Sequence, residues 1–200
     1  MLHTLNDKAE CYGAVTDDAE QADVRLIRRI VAGELSAFED IYRMYYPRLT
    51  RFLRRVTQRP ELVEEVLNDT MLVVWNRAAA FNGSSKVSTW IFAIAYRKAL
   101  KGLSRVDDPV DDKLGEHREN WELGPEDECG QRQRSVALAR MLASLSTEHR
   151  AVVDLTYFHG MSYAEIAAIV GCPVNTVKTR MFHARRHLKT MMTGQLEDWL

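Results

Sequence analysis

Two hundred residues, 46% of them hydrophobic and 28% charged, suffice for one medium domain or two small ones of ordinary globular composition. No apolar run approaches the roughly 18 residues that cross a bilayer, and the opening MLHTLNDKAECYG lacks the basic-then-apolar order of a secretory signal. A membrane span is therefore excluded, a cytoplasmic location is expected, and the net charge of −1 turns out to be the sum of strongly opposed blocks.

Residues 1–23 carry six acids and one base with no apolar period, which predicts a mobile acidic N-terminal arm. Residues 24–106 carry 15 bases against seven acids. Their pattern turns helical at Val24, with Leu26, Ile27, Ile30 and Val31 at a period near 3.6 and Gly33 breaking it. Ser36 stands three before Glu39, the spacing of a capping box. The helix it predicts turns Phe38, Ile41, Tyr42, Tyr45, Leu49, Phe52, Leu53 and Val56 to a core, with a kink or break expected at Pro47. Pro60 suits the first turn of the next helix, whose apolar stripe is Val63, Val66, Leu67, Thr70, Met71, Val74 and Trp75. Glu64, Glu65, Asn68 and Asp69 share a separate, acidic face. Asn82-Gly83-Ser84-Ser85 reads as a loop. A helix from about Ser88 to Ser104 then packs Trp90, Ile91, Ile94, Ala95 and Ala99 and projects Arg97, Lys98 and Lys101.

Residues 107–130 hold ten acids and two bases together with Pro109, Gly115, Gly124, Pro125 and Gly130, a composition that predicts a flexible acidic linker. Residues 131–192 are basic again, nine against three, and residues 193–200 form a short tail. Val136, Ala139 and Leu142 mark one helix; Leu145-Ser146 precedes another that holds Val152, Val153 and Leu155 and ends at His159-Gly160. Two more follow, over 162–170 and about 174–189. Strand alternation and internal repeats are absent. The fold expected is all-α: two small helical domains joined by the linker.

Enzyme signatures are missing. There is no Gly-rich phosphate loop and no nucleophile–base arrangement. Cys11, Cys129 and Cys172 are odd in number and far apart, and His183 and His187 have no acidic or Cys partner nearby. No catalytic residue, metal or cofactor is expected.

The informative stretch is MSYAEIAAIVGCPVNTVKTRMFHARRH, residues 161–187. Ser162 and Glu165 form a capping box that starts a short helix whose inward residues are Ile166, Ala167 and Val170. Gly171 permits the left-handed backbone of a tight interhelical turn, and Pro173 sets the opening of the next helix. Val177 and Met181 point inward, leaving Asn175, Thr176, Lys178, Thr179, Arg180, His183, Arg185 and Arg186 outward. This is the order of a helix-turn-helix. Short polar residues reach base edges in a major groove, each good contact discriminating by about 1–3 kcal/mol, while basic residues neutralise phosphates. An ordinary helical hairpin with a solvated basic face has the same outline, but capping box, Gly turn, Pro start and basic second helix come here in sequence. The first block adds Asn82, Ser85, Lys86, Thr89 and Trp90, then Arg97, Lys98 and Lys101: an aromatic among cations, which suits an unstacked single strand. Trp90 and Trp75 also suit a core.

Taken together, Glu64-Glu65-Val66-Leu67-Asn68-Asp69-Thr70-Met71, Trp75, Ser88-Thr89-Trp90-Ile91-Phe92-Ala93-Ile94-Ala95 and the helix-turn-helix resemble the extracytoplasmic-function (ECF, group IV) sigma factors of the main bacterial sigma family, over about residues 24–190. The resemblance implies a subunit that directs core RNA polymerase to promoters and helps open the −10 element, controlled by an anti-sigma factor. It implies that 24–106 is region 2 and 131–192 is region 4. Glu64, Glu65, Asn68 and Asp69 would bind core polymerase. Asn82, Ser85, Lys86, Thr89, Trp90, Arg97, Lys98 and Lys101 would capture the −10 single strand. Asn175, Thr176, Lys178, Thr179, Arg180, His183, Arg185 and Arg186 would read the −35 duplex. The sequence departs from the family at Val87 and Ser88, where many members carry an aromatic and an arginine. Two other readings stay open at this stage: a stand-alone helix-turn-helix regulator whose first block is a sensor, and an enzyme without a visible signature.

Overall fold

The computed structural model describes residues 18–106 and 137–196, and within them every regular element is helical. Helix α1 spans residues 18–31, so the last six residues expected to belong to a mobile arm are helix. Their anchor is Asp23, which is buried and accepts a hydrogen bond from the Tyr45 hydroxyl. Residues 1–17, the whole acidic linker 107–130 and residues 197–200 lie outside the described residues, as do Cys11 and Cys129.

Gly33 ends α1 at φ +85°, in the left-handed region. That turn brings Glu34 back to Arg29, with Nε and Oε2 2.8 Å apart, and the next helix, α2 (Leu35–Thr57), starts at once. The capping box expected at Ser36 and Glu39 does not form, because Ser36 already lies within the first turn and Glu34 takes the cap position without a side-chain bond. Nor does Pro47 interrupt α2. An interior proline costs roughly 3 kcal/mol. Ile41, Tyr45, Leu49, Phe52, Leu53 and Val56 are all fully buried along one stripe, and their burial, at about 1.5–3 kcal/mol per large side chain, outweighs it.

Helix α3 (Pro60–Arg77) opens on its proline as expected and runs into a 3₁₀ turn, Ala78–Ala80. Trp75 packs edge-on against Phe38 at 5.2 Å. Helix α4 (Val87–Val106) follows the 82–86 loop. In the second half, α5 covers residues 137–143, α6 is Thr147–Tyr157, α7 is Tyr163–Val170 and α8 is Val174–Leu196. Ser146 caps α6 by accepting from His149 N–H.

The two helical domains are not merely tethered. Their buried residues form one continuous core, in which α2 packs on α6 and α4 packs on α7. His159 from the second domain is seated between Phe52 and Phe92 of the first, at ring separations of 6.0 and 4.7 Å. Arg150 of α6 is buried and donates to the Leu142, Ala143 and Leu145 carbonyls at the end of α5, and to the Arg55 and Val56 carbonyls at the end of α2. Desolvation lowers its pKa to about 10, which leaves it charged at neutral pH. One guanidinium thus serves carbonyls at the ends of two helices from two domains.

Candidate functional site

The helix-turn-helix has the predicted local chemistry. Ser162 Oγ accepts from Glu165 N–H, and Glu165 Oε2 accepts from Ser162 N–H at 2.8 Å, closing the capping box of α7. Gly171 adopts φ 69° and ψ 38°, and its N–H and that of Cys172 both reach the Ala167 carbonyl, at 2.9 and 3.2 Å. A Cβ on Gly171 would meet nothing within 4 Å, so glycine is required there for its backbone and not for space. The Pro173 carbonyl accepts from Thr176 and Val177 and begins α8. Val177, Met181 and Ala184 are buried and fix its rotation.

That rotation exposes Asn175, Lys178, Thr179, His183, Arg185 and Arg186, and leaves Thr176 and Arg180 half-buried. Arg185 Nε donates to the Tyr157 hydroxyl at 3.0 Å, which ties it to α6. Arg180 Nη1 lies 3.9 Å from Cys172 Sγ, so this thiol is half-buried beside a cation. His183 stacks edge-on with His149 at 6.3 Å. Burial first, then the neighbouring His183 and Arg180, hold the His149 imidazole below its usual pKa of 6.5.

The second set gathers at the start of α4. Asn82 Oδ1 accepts from Ser84 N–H at 3.0 Å, shaping the loop. Ser85 Oγ donates to the Lys86 carbonyl at 3.4 Å. Trp90 is half-buried against Phe81, with ring centres 5.5 Å apart. Arg97 and Lys101 are exposed. Thr89 is buried, only 2% exposed, and its hydroxyl has no hydrogen-bond partner. Helical spacing puts Thr89 on the face of α4 that carries Ala93 and Tyr96. Tyr96 is pushed up to about 12 by burial first and then by the Glu148 carboxylate, with Arg180 opposing. That face of α4 therefore looks toward the helix-turn-helix domain.

Lys86 Nζ contacts Glu165 Oε1 of α7 at 2.8 Å. The backbone N–H of Val87, the first residue of α4, donates to Glu20 Oε1 of α1, also at 2.8 Å. Burial raises the pKa of Glu20, and Asp23 and Glu165 add to the rise, against the Val87 hydrogen bond and Lys86. For Glu165, burial is the largest influence and raises the pKa; bonds from Lys86 and Ser162 together outweigh it and leave a net lowering.

On the acidic face, Glu64, Glu65 and Asn68 are exposed. Asp69 pairs across to Lys98 of α4 at 2.8 Å, so these two residues lie together rather than on separate surfaces. Met44, Tyr46 and Leu72 are large apolar side chains left exposed on α2 and α3.

Sequence reasoning missed Glu20, Glu165 in its second role, and the Arg55, Arg150, Asp154 and His159 group. A signal existed for two of these: Arg150 and Asp154 are charged residues flanking and interrupting the apolar run Ala151-Val152-Val153-Asp154-Leu155. No comparable signal marks Glu20, one acid among six in an aperiodic stretch.

Comparison with known proteins bears directly on this arrangement. Residues 41–107 match Sigma-70 region 2, and residues 135–188 match Sigma-70, region 4. The chain is 31% identical over 168 residues to the RNA polymerase sigma factor YlaC of Bacillus subtilis, across 81% of this chain and 95% of that protein. It is 28% identical over 188 residues to the ECF RNA polymerase sigma factor RpoE of Cereibacter sphaeroides, across 90% of this chain and all 100% of that protein. Among solved structures it resembles CnrH, in complex with the cytosolic domain of CnrY, at a TM-score of 0.65 and 25% identity, across 86% of this chain and 98% of that one. Two matched regions in the family's order, a helix-turn-helix with the geometry above, and relatives aligned nearly end to end place this chain in the ECF group of RNA polymerase sigma factors.

Proposed function

We propose that the chain divides the work of promoter recognition between its two helical domains, with 24–106 acting as region 2 and 131–192 as region 4. The observation that carries this reading is the rotation of α8. Buried Val177, Met181 and Ala184 hold one side inward, so that Asn175, Lys178, Thr179 and Arg186 line the opposite, exposed side behind a capped α7. In this reading α8 lies in the major groove of the −35 duplex. Asn175, Thr176 and Thr179 face base edges, and Lys178, Arg180, His183, Arg185 and Arg186 meet phosphates.

The loop and first turns of α4, with Asn82, Ser85, Lys86, Thr89 and Trp90, take the unstacked −10 strand, and Arg97, Lys98 and Lys101 follow its backbone. The unpairing energy is recovered by stacking on Trp90 and by phosphate contacts. Glu64, Glu65 and Asn68 dock on core polymerase, with exposed Met44, Tyr46 and Leu72 adding apolar area, and Asp69, paired with Lys98 at 2.8 Å, stands where the polymerase surface meets the path of the strand. The chain supplies no chemistry of its own; polymerase performs nucleotidyl transfer. It works in the cytoplasm, where polymerase is. Likeness to CnrH, solved with a second protein bound, supports an anti-sigma partner for this chain too.

The test is run-off transcription from a genomic fragment library with core polymerase and this protein. Start sites sharing two upstream elements support the reading. Glu64→Lys with Glu65→Lys should weaken capture of core polymerase at least tenfold, and Lys178→Glu with Arg180→Glu should abolish specific initiation while leaving capture intact. Transcription unaffected by both pairs would overturn it.

A further inference from the structure

Helix α4 begins without a cap from its own neighbourhood. Lys86 holds the cap position, because its carbonyl accepts the first helical bond, from Trp90 N–H at 3.0 Å. A lysine side chain has only donors, so it cannot serve the first N–H groups of the helix. Ser85 Oγ is turned to the Lys86 carbonyl at 3.4 Å, and the buried Thr89 hydroxyl has no partner. The acceptor comes instead from 67 positions upstream, where Glu20 Oε1 of α1 takes the Val87 N–H at 2.8 Å. Val87 is fully buried, so water cannot stand in for the carboxylate.

We propose that Glu20 is a positioning residue for −10 recognition, which sets the first turn of α4 so that Lys86 and Trp90 stand where the unstacked strand meets them. The inference rests on the assignment of that loop and helix to the −10 strand.

Glu20 serves as a fixed reference because α1 is itself fixed within the first domain. Ile27 and Ile30 are buried in the core. Asp23, one turn beyond Glu20, is buried and accepts from the Tyr45 hydroxyl of α2. The Arg48 guanidinium of α2 lies 5.0 Å from the centre of the Tyr45 ring and 5.6 Å from that of Phe92 in α4. Helix α4 is thus held at Val87 by α1 and, five residues on, at Phe92 by α2.

The segment before α4 has less to hold it. Gly83 adopts φ 71°, and the Asn82 side chain closes a short turn by accepting from Ser84 N–H. Helix ends fray, and an unfixed first turn would share the freedom of this loop. Strand capture would then have to order the turn as well; order set in advance removes that cost from binding. A side-chain cap typically gives about a fivefold bias. Its loss is felt most where bases are read, because phosphate contacts position a strand while contacts to bases carry the sequence information.

The experiment compares −10 discrimination by the full chain bound to core polymerase. Two linear templates share one promoter from the run-off selection and differ at one base pair of its −10 element. The readout is the ratio of their initial run-off rates. A variant that merely folds less well lowers both rates together and leaves the ratio unchanged. Glu20→Ala should cut the ratio about fivefold. Glu20→Gln, with an acceptor at the same reach, should retain it. Glu20→Asp keeps the charge but is one methylene short, and should behave as Glu20→Ala does. In the free chain, hydrogen exchange at the Val87 amide, resolved by NMR, should be slow in the parent and in Glu20→Gln, and about fivefold faster in the other two.

An unchanged ratio in Glu20→Ala would overturn the positioning role. So would a Gln variant as poor as Ala or an Asp variant as good as the parent, since charge rather than placement would then decide. Exchange at Val87 that is indifferent to all three substitutions would overturn the contact itself. A parent that initiates without regard to the −10 base pair overturns the −10 assignment, and this inference with it, while leaving the Val87 exchange pattern intact, so the two failures are told apart.

Discussion

Arg55, near the end of α2, places Nη1 2.7 Å from Oδ1 of Asp154 in α6, a residue 99 positions further along the chain. The two side chains are 17% and 2% exposed, so the pair lies largely out of water. Removing one member of a buried pair leaves the other without compensation. Asp154→Ala should destabilise the full chain by about 3 kcal/mol in urea unfolding. Asp154 Oδ2 also lies 3.1 Å from Nε2 of the buried His159 side chain, so Arg55→Met with Asp154→Leu should recover only part of that loss. A single variant that unfolds at the parental midpoint would show that the pair contributes nothing.

Arg150 makes a second prediction, separable from the first. Its five contacts go to backbone carbonyls and not to a carboxylate. Arg150→Met strands those carbonyls and should cost about 3 kcal/mol, whereas Arg150→Lys, with three donors for five acceptors, should fall between. Comparison of urea midpoints for the three proteins checks the order. Equal losses for Met and Lys would point to packing of the stem as the source.

Acidification should loosen the second domain through His149. Its pKa is depressed in the folded protein by burial, then by His183, Arg180 and His187, with Glu148 opposing. The unfolded chain therefore binds the proton more readily. Stability from this group is present above the unfolded value of 6.5 and is lost as pH falls through the folded one. Melting temperature should drop from about pH 7.5 to about pH 5.5 more in the parent than in His149→Gln, which retains a partner for Ser146 Oγ. The raised pKa values of Glu20 and Asp23 act in the opposite sense and in a lower window, above their ordinary values of 4.5 and 3.8. Only the difference between the two proteins isolates His149. Identical pH profiles would remove it as the cause.

Lys178 is exposed on the outer side of α8. As a phosphate contact it should contribute about one unit to the salt slope of duplex binding by the polymerase complex. Lys178→Ala should weaken binding to all −35 sequences alike and lower the slope by that unit. Asn175→Ala should instead leave the slope alone and relax discrimination at one base pair. Loss of discrimination with Lys178→Ala would exchange the two roles.

Much of this was legible in the sequence wherever the chemistry is local. The α7 capping box, the left-handed turn at Gly171, the start of α3 at Pro60 and the inward position of Met181 all depend on residues within a few positions of each other. Where distant groups decide, sequence spacing was misleading. The Ser36 box yielded to the Gly33 turn and its Arg29–Glu34 contact, and Pro47 was overruled by the buried stripe around it. Glu20 looked like one more charge in an acidic arm, because the N–H it accepts from belongs to Val87. The docking of the two domains had no periodic signature at all. It rests on single residues, Arg55, Arg150, Asp154 and His159, whose partners lie in the other half of the chain.

The grip of Arg150 on the last carbonyls of α2 carries a further consequence for any motion that parts the halves. Once α6 withdraws, the oxygens of Arg55 and Val56 must be hydrated in place of the guanidinium. Separation is therefore a step that takes up solvent. Osmolytes excluded from that newly wetted surface will hold the protein in its folded-together form, so its readiness to assemble is coupled to the water activity around it.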